Sequence, residues 1–156
     1  DCPINEDETT AEVLDRLSSE GADMTLPVLK LIQDLKQPRP QSNETVSHAP
    51  KFYKKDGEIH WERSSDSIYN LYRALGSNPG IWSVLNDVRI RIDSLSKSKV
   101  LLKLKPGEIN IDDEKMYVGA LDGIIEVQKV TPAGRNSMTS AEFTRGLTSK
   151  TGLHFG

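Results

Sequence analysis

The sequence predicts an α+β chain in which an αα-hairpin and a linker precede a small open β-barrel. Three observations carry this reading. Apolar residues recur at helical spacing up to Leu35, the stretch from Gln37 to Pro50 is nearly free of them, and beyond Val88 the period falls to two. The 156 residues, 36% apolar and 28% charged, suffice for one modest core or two small ones. The longest apolar runs, such as Val100 to Leu102, fall far short of the roughly 18 to 20 residues that a membrane-spanning helix needs. The single cysteine, Cys2, excludes an internal disulfide, and no Cys/His pairs stand at zinc-ligand spacing. The chain opens on Asp1 without a signal or transit peptide, which reads as a removed presequence or as a piece of something longer.

The first helix is predicted from Thr9, which stands three residues before Glu12 in capping-box spacing, with Val13, Leu14 and Leu17 as an apolar stripe and Gly21 as its stop. A second helix follows from about Asp23, where Val28, Leu31, Ile32 and Leu35 share one face and Pro27 lies near the first turn. Residues 1–36 thus form the hairpin, too small to stand alone, and 37–50, with prolines at 38, 40 and 50, the linker. The barrel domain spans 51–146. It starts with a turn at Asp56-Gly57 and an extended segment that points Ile59 and Trp61 one way. A helix capped by Ser64 or Ser65 carries Ile68, Leu71, Tyr72 and Leu75 on one face, and Gly76 sits where a left-handed terminating residue is wanted.

Strands come next. Val88, Ile90 and Ile92 alternate with Arg89 and Arg91, and Val100, Leu102 and Leu104 with Lys99, Lys103 and Lys105. Ile109 and Ile111, then Met116 to Ala120, then Ile124 to Val130 after the Asp122-Gly123 hairpin signal, bring the total to at least five strands, the count of a small barrel. A last helix is marked by the Thr139/Glu142 capping box with Met138 and Phe143 at the staple positions. The tail, 147–156, is polar and expected to fray.

No nucleophile elbow, phosphate loop or metal-binding helix is present, and the three histidines, His48, His60 and His154, fall in the linker, on a solvent-facing strand position and in the tail. The acidic run Asp112-Asp113-Glu114 reads as a solvated turn. Charge is more informative. Residues 1–50 hold 4 basic and 10 acidic side chains, leaving −6, while 51–156 hold 16 and 13, leaving +3. If 88–92 and 99–105 pair as a hairpin, Arg89, Arg91, Lys99, Lys103 and Lys105 gather on the outer face, and a phosphate backbone relieves their mutual repulsion. Lys51, Lys54, Lys55, Arg63 and Arg73 extend the patch if linker and helix pack beside the barrel. The plainer alternative is that these cations keep a strand edge from aggregating.

The order and spacing of several short motifs resemble the methionyl-tRNA formyltransferase family. Pro3-Ile4, Glu8-Thr9, Gly21-Ala22, Gln41 and His48-Ala49-Pro50-Lys51 are similar to the end of its catalytic domain and its linker. Ile59-His60-Trp61, Arg73-Ala74, Pro79-Gly80, Arg89 to Ile92, Pro106-Gly107-Glu108-Ile109, Asp122-Gly123 and Pro132-Ala133-Gly134 with Met138 are similar to its C-terminal domain. The resemblance implies that the hairpin closes a Rossmann-like domain and that the barrel is OB-like. It implies an upstream Asn/His/Asp triad, outside this chain, that moves a formyl group from 10-formyltetrahydrofolate to the amine of initiator methionyl-tRNA. This chain would then bind no cofactor and no metal, and would hold the tRNA through its basic surface, Arg135 included. The family's basic pair after its last loop glycine is here Gly134-Arg135-Asn136-Ser137, with one arginine only. Leu71-Tyr72-Arg73 and Gly76-Ser77-Asn78-Pro79 look mitochondrial, which implies the matrix, with a bacterial cytoplasm as alternative. Other readings are a related folate-dependent formyltransferase or hydrolase, and a non-catalytic nucleic-acid-binding module.

Overall fold

The structure, a computed structural model, describes residues 2–34, 37, 40, 42 and 46–156. It divides into two compact units, Asp1–Phe52 and Tyr53–Gly156.

In the first unit a single 24-residue helix, α1 (Thr10–Gln33), replaces the expected hairpin. Its start is as predicted: the Glu12 backbone N–H donates to Thr9 Oγ1 and the Glu12 carboxylate accepts from the Thr9 N–H at 2.8 Å, which holds the Glu12 carboxyl below its ordinary value. Gly21 does not stop the helix. An interior glycine costs only about 1 kcal/mol relative to alanine, and among the described residues nothing lies within 4 Å of its would-be Cβ to draw the chain into a turn there. Pro27 is also spanned, its fixed φ being compatible with the helix. No residue of α1 is buried; Leu14, Met24, Leu26, Leu29 and Ile32 are all exposed. The segment before α1 is tied down by Arg16, which donates to Glu8 at 2.8 Å and to the Pro3 carbonyl at 2.8 Å. Leu35, Pro38 and Gln41, each used in the sequence reading, lie outside the described residues.

The second unit begins with a 3-10 turn, Lys54–Gly57, where the Tyr53 N–H donates to the Asp56 carboxylate at 2.7 Å. Ile59 and Trp61 follow, both buried as expected, and Trp61 Nε1 donates to Ser83 Oγ at 3.0 Å. Helix α2 (Ser65–Leu75) is capped by Ser64. Its terminal Gly76 is right-handed, not left-handed. Glycine is required there by space, because a Cβ would stand 2.6 Å from the Tyr72 carbonyl and 2.9 Å from its ring. The left-handed residue comes later, at Gly80, with φ +93 after a cis Asn78-Pro79 bond.

Six strands follow: β1 (Ile81–Leu85), β2 (Val88–Ser98), β3 (Ile109–Asp112), β4 (Lys115–Gly119), β5 (Ile124–Pro132) and β6 (Met138–Thr139), with helix α3 (Ser140–Arg145) last. They form one antiparallel sheet ordered β1-β2-β5-β4-β3, and β6 extends it along β5. Pairing between strands does not close this sheet into a barrel. Residues 99–105 form no strand, because the segment expected to pair with them, 88–92, is already paired with β1 on one edge and, from Ile90 on, with β5 on the other. Val100 and Leu101 are therefore exposed, and so is Val88. The unpredicted β1 joins β2 through Asn86-Asp87, both at positive φ, a two-residue turn whose twist suits a hairpin. Register shifts on either side of Ser94/Lys129 place one extra residue in each strand, so burial moves from Ile90 and Ile92 to Leu95 on β2, and from Val127 to Val130 on β5.

The capping box and staple of α3 are as predicted; Ser140 and Thr144 are buried, and Met138 and Phe143 pack on the core. The tail does not fray. Leu153 and Phe155 are buried, and the Phe155 ring stacks on Trp61 with centroids 5.5 Å apart. This tail bridges the two edges of the open sheet: the Gly156 N–H donates to Val84 of β1 at 3.1 Å, and Leu153 accepts from Ile109 of β3 at 3.0 Å.

Candidate nucleic-acid interface

Along β1 and β2 the inward positions are Ile81, Ser83, Leu85, Ile90 and Ile92, so Trp82, Val84, Arg89 and Arg91 share the outer face. Trp82 stands opposite Arg91 and Val84 opposite Arg89. The Arg89 guanidinium carbon reaches diagonally over the Trp82 indole, 4.0 Å from the ring centroid. The same indole donates from Nε1 to the Lys54 carbonyl at 2.8 Å, which ties the 3-10 turn to the sheet. Lys54, Gly80, Trp82, Arg89 and Arg91 line a hollow of about 220 Å³ with no carboxylate in its wall.

Two glycines make this assembly tight. A Cβ on Gly57 would stand 2.0 Å from the Gly80 carbonyl, and one on Gly80 would stand 2.9 Å from Arg91 Nε. Arg91 is held by Asp93 at 3.2 Å and by the Gly76 and Ser77 carbonyls at 3.3 and 3.4 Å. Among the described residues neither Lys54 nor Arg89 has an ion-pair partner.

The other expected cations are dispersed. Lys99, Lys103 and Lys105 are exposed, but at the far end of β2. Ten residues separate Arg89 from Lys99, and at about 3.3 Å per residue the two lie roughly 30 Å apart. The continuous stripe expected from a hairpin of 88–92 with 99–105 is therefore absent. Lys55 and Arg63 line a separate hollow that also holds Asp56, Glu58 and His60, so its charge is mixed. Arg73 donates to Asn70 at 3.0 Å on α2. Arg135, in the turn after β5, lines a further hollow with Val88, Met138, Phe143 and the carboxylate-bearing Glu142. Lys51 belongs to the first unit and is exposed. His48 and His60 are exposed, and the His154 ring lies 2.9 Å from the Pro106 carbonyl in the docked tail.

Sequence reasoning missed Trp82, although an outward-facing aromatic across from two arginines was legible once β1 was seen as a strand. At the N-terminus of α2, the Ser65 N–H donates to Asp122 at 2.8 Å and holds that carboxyl below its ordinary value. No group of three or more His, Cys, Asp or Glu able to hold a metal occurs among the described residues.

The profile of the formyl transferase C-terminal domain matches residues 51–148. Methionyl-tRNA formyltransferase of Paenarthrobacter aurescens is 32% identical over 146 residues, covering 92% of this chain and 47% of the relative. That of Syntrophus aciditrophicus is 32% identical over 156 residues, covering 99% and 50%. The chain thus spans about half the length of the curated relatives it matches. A crystal structure of HypX from Aquifex aeolicus, 20% identical, superposes on 94% of this chain and 28% of its own with a TM-score of 0.73, a likeness of fold. With an open sheet, a capping α3 and a family profile that runs from the linker's end to the tail, the chain belongs to the formyl transferase C-terminal domain family.

Proposed function

We propose that this chain is the tRNA-holding part of a methionyl-tRNA formyltransferase. Its second unit docks initiator methionyl-tRNA, and the formyl group comes from 10-formyltetrahydrofolate bound by a catalytic domain in the half of the relatives' length that this chain does not span. The observation that carries this reading is the convergence of Lys54, Arg89 and Arg91 on one outward hollow without a carboxylate in its wall. Cations held in fixed geometry on a rigid sheet contact phosphates and thereby set the register of the nucleic acid. The chain's own contribution to the reaction is positioning, which lowers the entropy cost of bringing the aminoacyl end to a reacting centre.

The compartment proposed is the mitochondrial matrix, on the strength of Leu71-Tyr72-Arg73 and Gly76-Ser77-Asn78-Pro79. The bacterial relatives favour a cytoplasm as the alternative. The test of docking is tRNA binding by this chain between about 50 and 200 mM salt. Affinity is expected to fall steeply, and Arg89→Ala or Lys54→Ala to reduce the log–log slope by about one each. A flat salt dependence overturns the proposal.

A further inference from the structure

We infer that the Arg89–Trp82 pair is a subsite for a single unpaired nucleotide, whose base lies on the guanidinium and whose phosphate meets Lys54 and Arg91. The inference rests on the nucleic-acid reading above and narrows it.

Three observations separate this subsite from a groove that tracks a duplex. The first is the stack itself. At 4.0 Å from the ring centroid the Arg89 guanidinium sits at van der Waals distance from the indole, and Arg89 is exposed while Trp82 is only part-exposed. The cation thus lies over the aromatic ring while remaining open to solvent. Guanidinium planes bind unpaired bases by stacking, an interaction a duplex denies because its bases are already stacked on one another. The second is rigidity. Trp82 is tethered, because its Nε1 donates to the Lys54 carbonyl at 2.8 Å, and the close Gly57–Gly80 and Gly80–Arg91 approaches fix the turn and the arginine beside it. The third is extent. The hollow is small, about 220 Å³. The lysines Lys99, Lys103 and Lys105 lie beyond the far end of β2, and Lys97 between them and Arg89 is paired with Asp66 at 2.8 Å, so the cations of this hollow form a compact cluster of their own. Arg91, anchored by Asp93 and two carbonyls, keeps its position beside the hollow, and Lys54, with no ion-pair partner among the described residues, holds its charge free for the phosphate, which leaves the Arg89 guanidinium for the base.

The experiment uses the whole chain with two probes of equal phosphate number, a short single-stranded oligonucleotide and a blunt duplex. Trp61 is 2% exposed, so acrylamide quenching of tryptophan emission reports Trp82. The wild-type chain is expected to bind the single strand more tightly and to lose quenching when it does. Arg89→Lys, which keeps the charge but removes the plane, is expected to weaken single-strand binding about tenfold while changing duplex binding less than twofold. Trp82→Leu, which removes the shelf under the guanidinium, follows Arg89→Lys; should that variant unfold, Arg89→Lys decides alone. The inference is overturned if Arg89→Lys matches the wild type, or if both probes bind equally. In the latter case a steep salt dependence leaves tRNA docking standing. Failure of the wild type to bind either probe or tRNA overturns both.

Discussion

The two units of this chain are stabilised by opposite means. In Asp1–Phe52 the helix is written by local signals, a capping box at Thr9 and an arginine clasp at Arg16, and none of its residues is buried. In Tyr53–Gly156 the order comes from residues far apart in sequence, with Trp61, Ile92, Val118, Val127 and Phe155 in one core. The comparison teaches that a long, well-capped helix and a well-packed domain are separate achievements. A face such as Leu14, Leu17, Val28 and Ile32 carries apolar residues without burying them.

Perturbations of the two units should therefore differ in size. The largest effect is expected from Phe155→Ala, which empties a fully buried site and unstacks Trp61; about 3–5 kcal/mol should be lost in urea unfolding followed by tryptophan emission, with the α1 contribution to circular dichroism unchanged. A loss under 1 kcal/mol would mean the tail is not part of the core. Next comes Thr139→Ala, which removes a cap worth about 1 kcal/mol in the same unit.

That cap also sets a pH dependence. The Thr139 N–H and hydroxyl hold the Glu142 carboxyl below its ordinary value of 4.5, so its contribution is present above that pH and is lost as pH falls through the lowered folded value. The melting temperature of Thr139→Ala should accordingly fall less steeply below pH 4.5 than that of the parent chain. Thr9→Ala, the equivalent change in the first unit, should lower helix content while leaving the unfolding midpoint of the second unit in place, and a shared midpoint would show that the units unfold together. The smallest effect is expected from Leu14→Gln, within about 0.5 kcal/mol by thermal melting, because the side chain is exposed.

Much of the fold was legible where the signal is local. Three caps, at Thr9, Ser64 and Thr139, stand where the spacing put them, and so do the buried faces of α2, β4 and the first half of β5. Signals that depend on partners were misread. Lys99 to Lys105 alternates like a strand, yet whether such a run pairs depends on a free neighbouring edge, and β1 had already occupied β2. Gly21 has the look of a helix stop, but only a competing tertiary contact would have turned the chain there. The candidate site shared this fate: Arg89 and Arg91 were identified from alternation, while Trp82 and the carbonyl of Lys54 came to them only through pairing and packing.

The sheet's extra residues, Asp93 on β2 and Gln128 on β5, flank the Ser94/Lys129 pair on its two sides, and Asp93 accepts from Thr131 and Ser137 while gripping Arg91. One half-turn of phase is thereby inserted into both ribbons, one pair apart. Deleting a single residue from one ribbon alone would invert the exposure of everything on one side of it, whereas deleting one from each would restore the pattern. Insertions and deletions in this domain should be tolerated in matched pairs, a grammar that no substitution scan would reveal.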